Sequence, residues 1–149
     1  MQTTKAMTDP TWDVVTVKSD PENNNNYILH SEDGPALIRY NKDYDVLYEA
    51  WYINGQKHRY GGGPAVIMYR DDGSVSDMEW YDHGKLHRYD GPAVISNGLY
   101  VYEHWYLFGE KHRVGGPAVI VYNNNGIHIN MYWYLHGEKM SQEEYNNKL

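Results

Sequence analysis

Three His-Arg pairs recur along this chain of 149 residues, at His58-Arg59, His87-Arg88 and His112-Arg113. Imidazole and guanidinium side by side bind metal ions, phosphates and carboxylates, so a row of three could line a metal or anion site. A structural use competes with that chemistry. Residues repeated in every unit serve every unit's fold, and equivalent histidines two strands apart stand about 10 Å from one another, too far for one ion. No catalytic residue, metal ligand or cofactor is therefore expected from the row, while Arg59, Arg88 and Arg113 stay candidates for holding a small ligand.

A second constellation is polar and aromatic: Tyr102, His104, Tyr106, His128, Tyr132 and Tyr134. These residues differ from unit to unit, which makes them better binding candidates than the repeated pairs. Such a surface could stack a base or a sugar ring, or form a Tyr-rich protein-binding patch. Its structural alternative is a cross-strand aromatic ladder that stabilises a single-layer sheet. The acidic group Asp71, Asp72, Asp77, Glu79 and Asp82 could take calcium or a basic partner, but it lacks EF-hand spacing and also reads as solvated hairpin tips. Gly61-Gly62-Gly63 is a turn lengthened by one residue and not a phosphate cradle. No nucleophile elbow or dinucleotide fingerprint is present.

The elements that must position these groups are repeats. WYINGQKHRYGGGPAVI (51–67) returns as WYDHGKLHRYDGPAVI (80–95) and as WYLFGEKHRVGGPAVI (105–120). A truncated copy, WYLHGEKM, begins at Trp133, and HSEDGPALI (30–38) is the back half of a first one. The tryptophans Trp51, Trp80, Trp105 and Trp133 are spaced by 29, 25 and 28 residues. Periods of this size mean units that bury their apolar faces only against neighbours.

Each unit reads as two strands joined by short turns. Pro-Ala-Val-Ile opens the first strand, where proline's missing N–H is tolerated. Asn54-Gly55 and its equivalents supply a two-residue hairpin turn with positive φ at both positions. Alternation puts Leu47, Trp51, Met78, Trp80, Trp105, Ile129, Met131 and Trp133 on one side, the expected core. Tyr48, Glu79, Tyr102, His104, His128 and Tyr132 fall on the other. Residues 1–11 are expected to be loose, with 12–17 a capping strand within an N-terminal segment of 1–26 and a loop at 19–26. The array spans 27–140. Ser141 with Glu144 three residues later is a capping box, so 141–149 is expected to close the array with a short helix. The fold expected is all-β: repeated antiparallel hairpins in a twisted meander sheet.

Sixteen Tyr and five Trp against one Phe suit half-wet sheet faces. A formal charge of −7 argues against a surface that tracks phosphates, so nucleic acid is not an expected partner. No cysteine is present, which excludes disulfides and thiol chemistry and fits a cytoplasmic setting. No apolar run has the length of a signal peptide core or a membrane span.

The pattern W-Y-x-N-G-x-x-H-R-x-x-G-P-A-V-I resembles the MORN-like repeat proteins of bacteria, bacteriophages and large viruses. The ending GEKMSQEEY (137–145) is similar to their closing helix. The periods here are longer than those of standard MORN units, so the membrane-lipid role proposed for those is not carried over. The resemblance implies a hairpin array that binds a protein partner without catalysis, as a phage-type inhibitor of host defence or an antitoxin. Sequestration of a nucleotide or sugar is the alternative from a different class, and a structural scaffold a third. Edge strands also leave a route to homo-oligomers open, and the sequence does not fix the oligomeric state.

Overall fold

The computed structural model describes residues 2–7, 12–20 and 26–149. The chain opens with β1 (Gln2–Met7) and β2 (Trp12–Ser19), then β3 (Tyr27–Leu29). The first unit holds β4 (Leu37–Tyr40), β5 (Val46–Ala50) and a short hairpin of β6 (Tyr52–Ile53) and β7 (Gln56–Lys57). After a 3-10 turn at Tyr60–Gly62 the pattern repeats with β8 (Val66–Tyr69), β9 (Val75–Glu79), β10 (Tyr81–Asp82) and β11 (Lys85–Leu86). The third unit is β12 (Val94–Asn97), β13 (Val101–His104), β14 (Tyr106–Leu107) and β15 (Glu110–Lys111). The last is β16 (Val119–Tyr122), β17 (His128–Leu135), β18 (Glu138–Met140) and helix α1 (Gln142–Lys148).

The long strands form one antiparallel meander, in the order β1-β2-β4-β5-β8-β9-β12-β13-β16-β17-β18, with β3 also on β2. Among the described residues the two ends of this order do not pair, so the sheet is open. This is the expected all-β hairpin array with a terminal helix. None of its described helices is long and apolar enough to cross a membrane.

Two boundaries differ from expectation. Residues 2–7 form a full strand, paired from Gln2↔Val17 to Met7↔Trp12, so β1 and not β2 is the outer edge. Residues 1 and 8–11, and 21–25 of the expected loop, lie outside the described residues. The Pro-Ala pairs precede the strands instead of opening them. Each alanine sits where the chain crosses from one unit to the next: Ala36 N–H donates to Ala50, Ala65 to Glu79 and Ala93 to His104, at 2.8, 2.8 and 2.9 Å. The returning Trp51, Trp80 and Trp105 N–H groups donate to the carbonyls of Ala65, Ala93 and Ala118. Backbone packed this closely leaves room only for a methyl group, and Ala50, Ala65, Ala93 and Ala118 are all 0% exposed.

The tryptophan side is not the sole core. Register places Ala50, Val66, Val119 and Val121 on the tyrosine face, and Ile120 on the other, yet all are buried. A sheet with no second layer leaves both faces half covered, so burial follows closeness to neighbouring strands more than face. Of the four repeat tryptophans only Trp80 is buried; Trp51, Trp105 and Trp133 are half-buried.

The short hairpins form a second stack along the side of the array. Asn54, His83, Phe108 and His136 all hold φ between 43° and 52°, each followed by a glycine of positive φ, as the two-residue turn requires. Each turn glycine bonds the preceding unit: Gly55 N–H to Leu29, Gly84 to Lys57, Gly109 to Leu86 and Gly137 to Lys111, at 2.8–2.9 Å. At the C-terminus the capping box is complete, with Ser141 Oγ accepting from Glu144 N–H and Glu144 Oε2 from Ser141 N–H. The helix buries Tyr145, which is 2% exposed.

Candidate functional site

The arginines of the His-Arg pairs are committed to the fold. The guanidinium carbons of Arg59, Arg88 and Arg113 lie 3.9, 4.1 and 3.9 Å from the ring centroids of Trp51, Trp80 and Trp105. Each also donates to the proline carbonyl of its own Gly-Pro-Ala, at Pro64, Pro92 and Pro117. A flat cation stacked on an indole covers it without burying an unpaired charge. The glycine of each block is under this side chain. A Cβ at Gly63, Gly91 or Gly116 would stand 3.1, 2.8 or 3.3 Å from the nearest arginine atom, whereas Gly34, in the copy without arginine, has open space.

The histidines tie one unit to the next. Nδ1 of His30, His58, His87 and His112 accepts from the turn N–H of Asn54, His83, Phe108 and His136, at 3.1, 3.4, 3.0 and 3.1 Å. The ring also meets the turn side chain, stacking on His83 and Phe108 at 4.2 Å and tilting against His136 at 4.4 Å. The structural use of the pair is thus acceptance of amide protons. Burial, then the neighbouring His136, pulls the pKa of His112 below its usual value.

The aromatic face is brought together except for one member. Tyr102, His104, Tyr132 and Tyr134 share the face, and His104 lies 6.4 Å from Tyr102 and 6.5 Å from Tyr106, ring to ring. Lys139 lies over Tyr132 at 4.6 Å, and Lys111 over Tyr134 at 5.2 Å. Burial, with Lys111 nearby, lowers the pKa of His104. His128 is the exception. Val121 pairs Asn130 but Tyr122 pairs His128, so Ile129 is an extra residue in a β-bulge. The bulge reverses the alternation and sends His128 to the opposite face, against Tyr122 at 4.9 Å. Similar register shifts occur at Arg39/Tyr40 and Met68/Tyr69, but not where Asn97 replaces the tyrosine.

Beside Tyr102 and His104 an open depression of about 480 Å³ runs to Val121, Ile129 and Tyr132. Its border is the last long strand. Residues 133–135 of β17 pair with β18, but among the described residues no strand pairs with the outer side of 128–132. Ile129, Met131 and Tyr132 are 44%, 40% and 37% exposed there. Ile129 and Met131 were absent from the expected site, because alternation had placed them in the core.

The acidic group does not assemble. Asp71 and Asp72 lie at the β8–β9 turn, Glu79 accepts from Tyr81 Oη at 2.9 Å, and Asp82 meets His58 and His83. Among the described residues His58, Asp82 and His83 alone bring three metal-competent ligand atoms within 4.8 Å of one another. Burial and then His83 lower the pKa of His58, against the opposing pull of Asp82. Tyr60 and Tyr89, the residues after His-Arg, lie outside the expected site and are 59% and 76% exposed beside a groove of about 600 Å³. Their repetition in a turn, where no strand can bury them, was the available signal. Comparison with protein-family models, curated proteins and solved structures finds no match to this chain.

Proposed function

We propose that this chain is a non-catalytic binding protein whose open sheet edge at residues 128–132 receives an extended segment of a protein partner. The observation that supports this reading is the edge itself. An unpaired strand offers a row of N–H and C=O groups to another chain, and folds usually blunt such edges with charge, proline or cover. The segment His128-Ile129-Asn130-Met131-Tyr132 contains no charged residue and no proline, and three of its apolar side chains are exposed. Backbone pairing would supply affinity, and the depression beside Tyr102 and His104 would receive a side chain of the added strand. The narrower role of a phage-type inhibitor or antitoxin rests on the family resemblance alone. Ligand sequestration has less support, because Arg59, Arg88 and Arg113 already engage tryptophan rings and proline carbonyls.

The test is site-specific photo-crosslinking in cells of a natural host. A photoreactive phenylalanine at Met131 should give one protein adduct, mapped by mass spectrometry to an extended peptide. Ile129→Lys should abolish the adduct without altering the thermal melt. The same label at Asp43, on the distant β4–β5 turn, should not give it. Equal labelling from both positions, or an adduct indifferent to Ile129→Lys, would refute the proposal.

A further inference from the structure

We propose that the junction of the first and second short hairpins, β6–β7 and β10–β11, binds a divalent transition-metal ion such as Zn²⁺ through His58, Asp82 and His83. Repeated histidines of different units do not converge, but the histidine of one unit does meet the turn residue of the next, and at this junction that residue is also histidine. The rings of His58 and His83 stack at 4.2 Å, and Nδ1 of each approaches Asp82 Oδ1, at 3.2 and 2.6 Å.

Two features set this junction apart from its copies. Asp82 stands where the other hairpins carry Ile53, Leu107 and Leu135, so a carboxylate has replaced an apolar side chain here alone. His112 and His136 form a similar pair, but Leu135 offers no oxygen to complete it. Nδ1 of His58 also makes the longest of the four turn hydrogen bonds, 3.4 Å against 3.0–3.1 Å elsewhere. Its lone pair is thus the least committed of the four.

The set matches the chemistry of a borderline cation. Two imidazole nitrogens and a carboxylate suit Zn²⁺ and its neighbours better than oxygen-seeking Ca²⁺ or Mg²⁺. Ligands about 2.1 Å from a tetrahedral ion lie about 3.4 Å apart, close to the His58–Asp82 separation. The shorter His83–Asp82 contact must open slightly, and His83 is free to do so, its side chain being 60% exposed. Three protein ligands leave a coordination position open, and His58 and Asp82 also line the groove beside Tyr60 and Tyr89.

The test uses full-length protein stripped with a chelator and titrated with Zn²⁺ by calorimetry and with Co²⁺ by visible absorption. Asp82→Leu and His83→Asn each install what a sister hairpin already carries, so both variants should fold, as thermal melts would verify. One equivalent of Zn²⁺ should bind, each variant should weaken binding about tenfold or more, and His136→Asn should not. Co²⁺ should give the d–d bands of a nitrogen- and oxygen-ligated tetrahedral site, lost in both variants. No saturable uptake by the parent protein, or parental affinity in both variants, would overturn the proposal. So would an equal loss in His136→Asn, because it would place the ion elsewhere.

Discussion

A Cβ added to Gly91 would stand 2.8 Å from the guanidinium carbon of Arg88. That carbon lies 4.1 Å from the centre of the Trp80 ring, so glycine, arginine and tryptophan form one stacked unit. The motif Trp…His-Arg…Gly-Pro-Ala is the linear trace of this stack. Its glycine is required by the side chain above it, not by backbone conformation, since Gly91 does not have positive φ.

Gly91→Ala should therefore push Arg88 off Trp80 and destabilise the protein by about 1–3 kcal/mol in urea denaturation. Gly34→Ala, which meets nothing within 4 Å, should change stability by less than about 0.5 kcal/mol. Equal effects at the two positions would contradict the stacking account.

His87→Ala removes the acceptor for the Phe108 N–H and should cost about 1–2 kcal/mol, because the amide is left without its partner. Hydrogen exchange at Phe108 should accelerate in step. His87→Asn, whose Oδ1 can occupy the place of Nδ1, should recover part of both losses. If asparagine behaves like alanine, ring stacking and not the hydrogen bond is the main contribution.

One hydroxyl ties the terminal helix to the last repeat turn. Tyr145 Oη donates to the Arg113 carbonyl at 2.8 Å and accepts from Gly116 N–H at 3.0 Å. Tyr145→Phe should cost about 1–3 kcal/mol through these two unsatisfied groups, and Ser141→Ala about 1 kcal/mol through the lost cap. Amide exchange in residues 142–148 would separate the cases. A phenylalanine variant as stable as the parent would show that ring burial alone docks the helix.

Acid should weaken the fold before the carboxylates titrate. Burial holds His104 and His112 below the ordinary value of 6.5, with Lys111 and His136 adding to it and Glu110 opposing it at His112. The unfolded chain then takes up protons first, so stability is fully present above about pH 6.5 and is lost as the pH falls through the folded values. The urea midpoint should drop between pH 7.5 and pH 5.5, and His104→Gln should flatten that drop. A midpoint independent of pH across this window would count against the assignment.

The hairpin array, the positive-φ turns and the capping helix were all legible in the chain because each depends on residues a few positions apart. Asn54-Gly55 is a turn wherever it stands, and Ser141 caps its helix by bonding Glu144, three residues away. The repetition of tryptophan and Gly-Pro-Ala likewise determined how many units stack. Other features depend on contacts between units or on register. The bulge at Ile129 reversed His128, and the unpaired outer side of 128–132 left Ile129 and Met131 exposed although alternation assigns them to the core. Residues 2–7 read as loose because their strand gains order from pairing with β2, not from an apolar pattern of their own. His58, Asp82 and His83 are 24 and 25 positions apart in the chain, yet the stacking of one hairpin on the next brings their ligand atoms within 4.8 Å. Sequence determined the repeating unit, whose turns and caps are local; tertiary structure decided what each unit presents, because that depends on which residue of the next unit lies opposite.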